Sequence, residues 1–141
     1  MFVYKKLSGF TYNIIKDKKK IRPFLLKWLG REWRIDHKER PDQIWTIKWL
    51  KDLRKMQFDL RIVDINKIKL RKDLMNYKKG RYIFRDELKD RCADRLESIQ
   101  RGVSIEPLVV RKKDMQLMDG YSRFSVLKKL GAKKVYVYMG S

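Results

Sequence analysis

Between Pro107 and Met139 the sequence changes its hydrophobic rhythm repeatedly, and this limits the folds open to it. Pro107-Leu-Val-Val-Arg111 is a short apolar run, Lys112-Lys113-Asp114 a tight turn, and Met115-Gln-Leu-Met118 a returning run. Asp119-Gly120 breaks that second strand. Phe124, Leu127 and Leu130 then recur at helical spacing up to Gly131, and Val135-Tyr-Val-Tyr-Met139 is a last strand. A hairpin followed by a helix and a further strand predicts an α+β fold, a small mixed sheet with packed helices.

The upstream sequence extends this pattern. Phe58, Leu60 and Ile62 alternate with Asp59 and Arg61, as in a half-buried strand, and residues 71–84 are basic, contain Gly80 and read as a loop. Asp86 suits the N-cap of a helix over Glu87–Arg101 with the stripe Leu88, Cys92, Leu96 and Ile99. Cys92 lies on that stripe and reads as a small buried hydrophobe. Residues 1–57 are expected to form a basic, Trp-containing N-terminal helical extension preceding a domain over 58–141. In that segment a strand pair turns at Ser8-Gly9. Pro23 opens a helix that Gly30 weakens or ends, and Pro41 starts a second helix faced by Trp45, Trp49 and Leu53. Four tryptophans fall within residues 28–49. They suit either a helical core or interface, or a stacking platform for bases.

Charge narrows the partners. Lys and Arg number 37 against 17 Asp and Glu, a formal net charge of +20. The excess is spread along the chain, which predicts a polyanion partner, DNA or RNA, gripped by its phosphate backbone rather than read base by base. Lys18, Lys19, Lys20, Lys112 and Lys113 are the candidate nucleic-acid contacts. No apolar stretch is long enough to span a membrane, and one cysteine excludes a disulfide framework, so a cytoplasmic protein is expected. One histidine, His37, leaves histidine metal clusters and Ser-His-Asp triads without their parts, and no metal site is expected.

The arrangement with chemical content is Met118-Asp-Gly-Tyr-Ser-Arg123. A strand ends, Gly120 allows a tight path and a helix begins, so free amides converge on one point. Gly120, Tyr121, Ser122 and Arg123 are therefore candidate phosphate-binding residues. Asp119 beside them suits a general base or a metal–phosphate contact, or else a helix N-cap.

Residues 58–141 resemble the ParB/sulfiredoxin-like domain, often labelled the ParB-like nuclease domain. The likeness lies in Leu96-Glu-Ser-Ile-Gln-Arg-Gly102, Glu106-Pro-Leu-Val-Val110, Asp119-Gly-Tyr-Ser-Arg-Phe-Ser-Val-Leu-Lys-Lys-Leu-Gly131 and Val135-Tyr-Val137. Arg61-Ile-Val-Asp-Ile-Asn-Lys-Ile68 resembles the family's first strand, and Gly80-Arg81-Tyr-Ile-Phe84 its arginine-containing box. The resemblance implies a nucleotide held at the glycine–arginine turn (ATP, ADP or CTP, with Mg²⁺), Arg81 assisting, together with DNA binding. The family's later phosphate motif and helix-turn-helix are not found after Val137. Sulfiredoxins carry Gly-Cys-His-Arg here, and Tyr121 and Ser122 replace its central pair. The family's free-serine kinases carry Asp-Gly-His-His-Arg, of which Asp119, Gly120 and Arg123 remain. The expected function is thus a nucleic-acid-associated ParB-like protein with a phosphate-binding turn at 119–123. The alternative is an enzyme, a nucleotide-dependent kinase, NTP hydrolase or nuclease, using Asp119 with Glu106 assisting. A homodimer is among the expected assemblies.

Overall fold

The computed structural model describes residues 2–141. Strands β1 (Phe2–Leu7) and β2 (Phe10–Ile15) form an antiparallel hairpin. Its two-residue turn needs positive φ at both positions, and Ser8 and Gly9 supply it at 52° and 83°. Asp17 then caps a 3₁₀ turn over Lys18–Lys20 through its bond from the Lys19 amide.

Helix α1 (Ile21–Glu39) continues unbroken past Gly30, where the sequence suggests a weakening or an end. Leu25, Leu29 and Trp33 hold one buried stripe through the glycine, and Trp33 packs at 5.4 Å from Trp49 of α2 (Ile44–Lys55). That packing outweighs the roughly 1 kcal/mol helix cost of a glycine. A β-carbon at Gly30 would meet only the flexible end of Arg34, at 3.3 Å. Gly30→Ala is therefore expected to raise stability by about 0.5–1 kcal/mol in thermal melts. Helix α2 begins after Pro41 rather than at it. The Arg40 carbonyl accepts from the Gln43 amide at 3.0 Å, closing a turn, and Gln43 becomes the N-cap.

Strand β3 (Phe58–Asp64) follows. The expected loop at 71–84 contains structure of its own: a one-turn helix α3 (Lys72–Met75), then a minimal hairpin of β4 (Lys78–Lys79) and β5 (Tyr82–Ile83) about Gly80. Helix α4 (Phe84–Gln100) starts before Asp86, because Phe84 is buried edge-on against Tyr121 and its amide donates to the Tyr77 carbonyl. Asp86 and Glu87 instead occupy the first turn, where negative charge favours the helix dipole.

Strands β6 (Leu108–Arg111) and β7 (Gln116–Asp119), helix α5 (Tyr121–Lys129) and strand β8 (Lys134–Gly140) complete the chain. The main sheet has the order β3-β8-β6-β7, parallel between β6 and β8 and antiparallel elsewhere. The fold is α+β with a mixed sheet, as the sequence implies. Leu130 lies beyond α5 and is partly exposed; Ala132 fills the inward place. Val109 and Val110 point to opposite sheet faces and both are wholly buried, so both faces are covered.

Residues 2–57 and 58–141 share one hydrophobic core. Tyr12 of β2 packs edge-on against Tyr136 of β8 at 5.1 Å, and the Tyr138 hydroxyl accepts from the Ile15 amide. The Asn13 amide donates to the Ile105 carbonyl and the Ile105 amide to the Thr11 carbonyl, each at 2.9 Å. The N-terminal hairpin thereby fixes the segment that carries Glu106.

Candidate functional site

At the end of β7, Gly120 takes φ 101° and becomes the N-cap of α5. The Phe124 amide returns to the Gly120 carbonyl at 2.8 Å, which is the first bond of the helix. The amides of Tyr121, Ser122 and Arg123 precede it and have no acceptor within the helix. No side chain caps them.

Asp119 could have capped these amides, and the structure explains why it does not. Its Oδ2 accepts from Arg123 Nη2 at 2.7 Å, which draws the carboxylate off the helix axis. Arg123 also donates through Nη1 to Glu106 Oε2 at 3.2 Å. The Arg123 side chain is 4% exposed, and its Nε is buried without a partner. Arg123 is thus an internal clamp between two carboxylates, not the free guanidinium expected at this turn. The other half of the clamp is the absent side chain of Gly120. A β-carbon there would lie 2.7 Å from Arg123 Nη2 and 2.7 Å from Leu108 Cδ2.

The turn opens onto a cleft of about 690 Å³. Met118 to Arg123 form one wall, and Arg91, Asp94, Arg95 and Ser98 of α4 form the second. The opposite wall comes from the N-terminal helices, with Trp28, Glu32 and Asp36 of α1 and Trp45, Thr46 and Trp49 of α2. Tyr82 and Phe84 close one end. The aromatic cluster and the helix start, which the sequence presents far apart, therefore face one cavity. Trp33, Trp45 and Trp49 are buried and serve the core as well, whereas Trp28 stays half-buried with its ring 5.8 Å from the Arg123 guanidinium.

The charge of the cleft is balanced, in contrast to the chain as a whole. Glu32, Asp36, Asp94 and Asp119 face Arg40, Arg91, Arg95 and Arg123. Most of these cations are committed. Arg40 lies over the Tyr82 ring at 4.0 Å and Arg91 pairs with Glu87. Arg95 is in no ion pair among the described residues. Burial lowers its affinity for its proton, and the Arg123 charge adds to that. Glu32 titrates above the usual carboxylate range, first through desolvation and then through the Asp119 charge, although Trp28 Nε1 donates to it at 3.0 Å. Desolvation also raises Asp36, against the pull of Arg40 and Arg91.

Other expected residues lie elsewhere. Tyr121 lines the cleft, but its hydroxyl donates to the Leu117 carbonyl and accepts from the Arg71 amide, so only its backbone is uncommitted. Ser122 lines the cleft. Glu106 reaches Arg123 from beside the cleft. Arg81 is exposed at the β4–β5 turn and does not line it. Lys18, Lys19 and Lys20 precede α1, where Lys18 pairs with Asp59, and Lys112 and Lys113 sit on the β6–β7 turn. Arg95 and the α1 carboxylates are the site residues that sequence reasoning missed. For Arg95 the signal was its place, one turn after Arg91, on a helix whose polar residues look like an ordinary ion-paired face. Among the described residues no group of three or more His, Cys, Asp or Glu side chains is placed to hold a metal, and no helix is long and apolar enough to cross a membrane.

No family model and no curated protein matches the sequence. The structure is similar to two solved structures of a pNOB8-like ParB N-domain. One gives a TM-score of 0.44 and 24% identity, covering 61% of this chain and 31% of that one. The other gives 0.42 and 26%, covering 60% and 28%. The chain therefore spans about a third of the length of the solved chains it matches.

Proposed function

We propose that the cleft binds the phosphate of a nucleotide and that the protein is a nucleic-acid-associated ParB-like protein. The observation that carries this reading is the meeting of the uncapped α5 amides with Arg95, a partly desolvated guanidinium in no ion pair. A desolvated charge without a partner is costly, and an oxyanion relieves that cost. The amides add the donors and the dipole end that favour an anion. The half-buried Trp28 offers an aromatic ring on which a base stacks. A basic exterior, with Lys18 to Lys20 and Lys112 to Lys113, serves the DNA or RNA backbone. Mg²⁺ arriving with a nucleotide needs only one or two protein carboxylates beside the phosphates, and Asp119 is the one that fits.

Titration with ATP, ADP, CTP and inorganic phosphate tests this reading. Arg95→Gln is expected to weaken ligand binding by about 1.5–3 kcal/mol, the range of a charge-assisted hydrogen bond, without lowering the melting temperature of the unliganded protein. Unchanged affinity in Arg95→Gln would contradict the assignment.

The raised carboxyls add a pH dependence. Falling pH protonates Glu32 and Asp36 earlier than ordinary carboxylates, so the cleft gains positive charge and anion affinity rises. Glu32→Gln should strengthen anion binding at neutral pH and flatten that profile. The same sign governs stability: a raised folded-state value means that the folded chain takes up the proton first. Stability from Glu32 therefore grows as pH falls toward the unfolded value of 4.5. Melting curves of Glu32→Gln across pH check this, with stabilisation expected at neutral pH and none in acid.

A second reading, a kinase or NTP hydrolase, rests on Asp119. Arg123 fixes one of its oxygens, and the other makes no hydrogen bond among the described residues, as a positioned general base requires. Turnover of ATP, ADP or CTP that is lost in Asp119→Asn supports it, and turnover that survives the substitution rejects it.

A further inference from the structure

Arg111 near the end of the sheet does something that its sequence position does not announce. Its Nη1 donates to Asp52 of α2 at 2.6 Å and its Nη2 to Asp114 of the β6–β7 turn at 2.7 Å, while its own side chain is 12% exposed. One buried cation thus neutralises a carboxylate on each of two neighbouring elements. Trp49 Nε1 ties the same helix to the same hairpin through Gln116 Oε1 at 3.2 Å.

The consequence lies in the residues around those acids. On α2, Lys48, Lys51 and Lys55 are spaced by three and four residues and form one exposed stripe on the side that carries Asp52. Lys112 and Lys113 are exposed on the turn that carries Asp114. None of the five is in an ion pair among the described residues. On α4, by contrast, the exposed cations are interleaved with acids: Glu87 pairs with Arg91 and Glu97 with Arg101.

We infer that the α2 stripe and the β6–β7 turn together form the principal nucleic-acid face of this protein, a surface separate from the cleft that engages successive backbone phosphates. The inference rests on the nucleic-acid reading above and assigns it a place. Uniform sign, compact lysine heads and the absence of aromatic side chains among the five suit backbone contact without base reading. Arg111 belongs to the scaffold of this face: by consuming Asp52 and Asp114 it leaves the lysines unopposed.

The test compares two fivefold alanine variants of the full chain for duplex DNA and RNA binding across salt. One replaces Lys48, Lys51, Lys55, Lys112 and Lys113, and the other Lys67, Lys128, Lys129, Lys133 and Lys134, five exposed lysines away from this face and an equal loss of charge. The first is expected to reduce the log–log salt slope by about 0.9 for each phosphate that is no longer neutralised, about 4 to 5 in all. The second is expected to change it by less than about 1. Melting curves and binding of the cleft ligand should be unaltered in both, which separates a weakened grip on the backbone from a misfolded chain. Equal effects in the two variants would overturn the inference while leaving nucleic-acid binding intact. Failure of the unaltered protein to bind duplex at low salt would overturn both.

Discussion

Gly120→Ala is expected to lower stability by about 3–5 kcal/mol, and to lower the melting temperature by roughly 10–15 °C. Two costs add. At φ 101° a side chain is strained wherever it sits, and here a β-carbon also meets Arg123 Nη2 and Leu108 Cδ2 at 2.7 Å. The guanidinium cannot yield, because both its terminal nitrogens are committed to Asp119 and Glu106. Gly9→Ala is the matched control: φ is 83° there, yet nothing lies within 4 Å of the added atom. Its cost should be that of strain alone, about 1 kcal/mol. Comparable destabilisation at the two glycines would mean that the packing beneath the turn is unimportant.

The second large effect is Arg123→Met. It removes the one partner shared by two carboxylates and leaves Asp119, mostly buried, uncompensated. Breaking such a pair from one side costs about 3–5 kcal/mol. Asp119→Asn introduced together with Arg123→Met should recover part of the loss, because the stranded charge is then gone. An Arg123 that instead met phosphate directly, as its position after the turn suggests, would change affinity and barely change stability. Chemical denaturation and ligand titration on the same variants separate the two roles.

These two residues also mark where sequence reasoning stops. The spacing from Asp119 to Arg123 is plain in the sequence, and the strand end, the glycine and the helix start all fall where the pattern places them. Spacing cannot say which way a guanidinium turns. Its direction depends on Glu106, and Glu106 is held by the pairing of Ile105 with β2, roughly ninety residues upstream. Long-range pairing of this kind leaves no local trace. Gly30 and Pro41 mislead for a related reason: both are local signals overruled by the packing of Leu29 and Trp33 on one side and by the Arg40–Gln43 turn on the other. The tryptophans were legible as a helical stripe. That all four also line a cleft opposite α5, with Trp28 left half-exposed, depends on how three helices meet.

Amide chemical shifts report directly on whether the α5 start is an anion seat. In a titration of the isotopically labelled protein with inorganic phosphate and then with CTP or ADP, the amides of Tyr121, Ser122 and Arg123 and the side-chain Nε–H of Arg95 should shift together and saturate at one affinity. If those four signals stay fixed while only surface lysine regions respond, the helix start is not the seat of the anion.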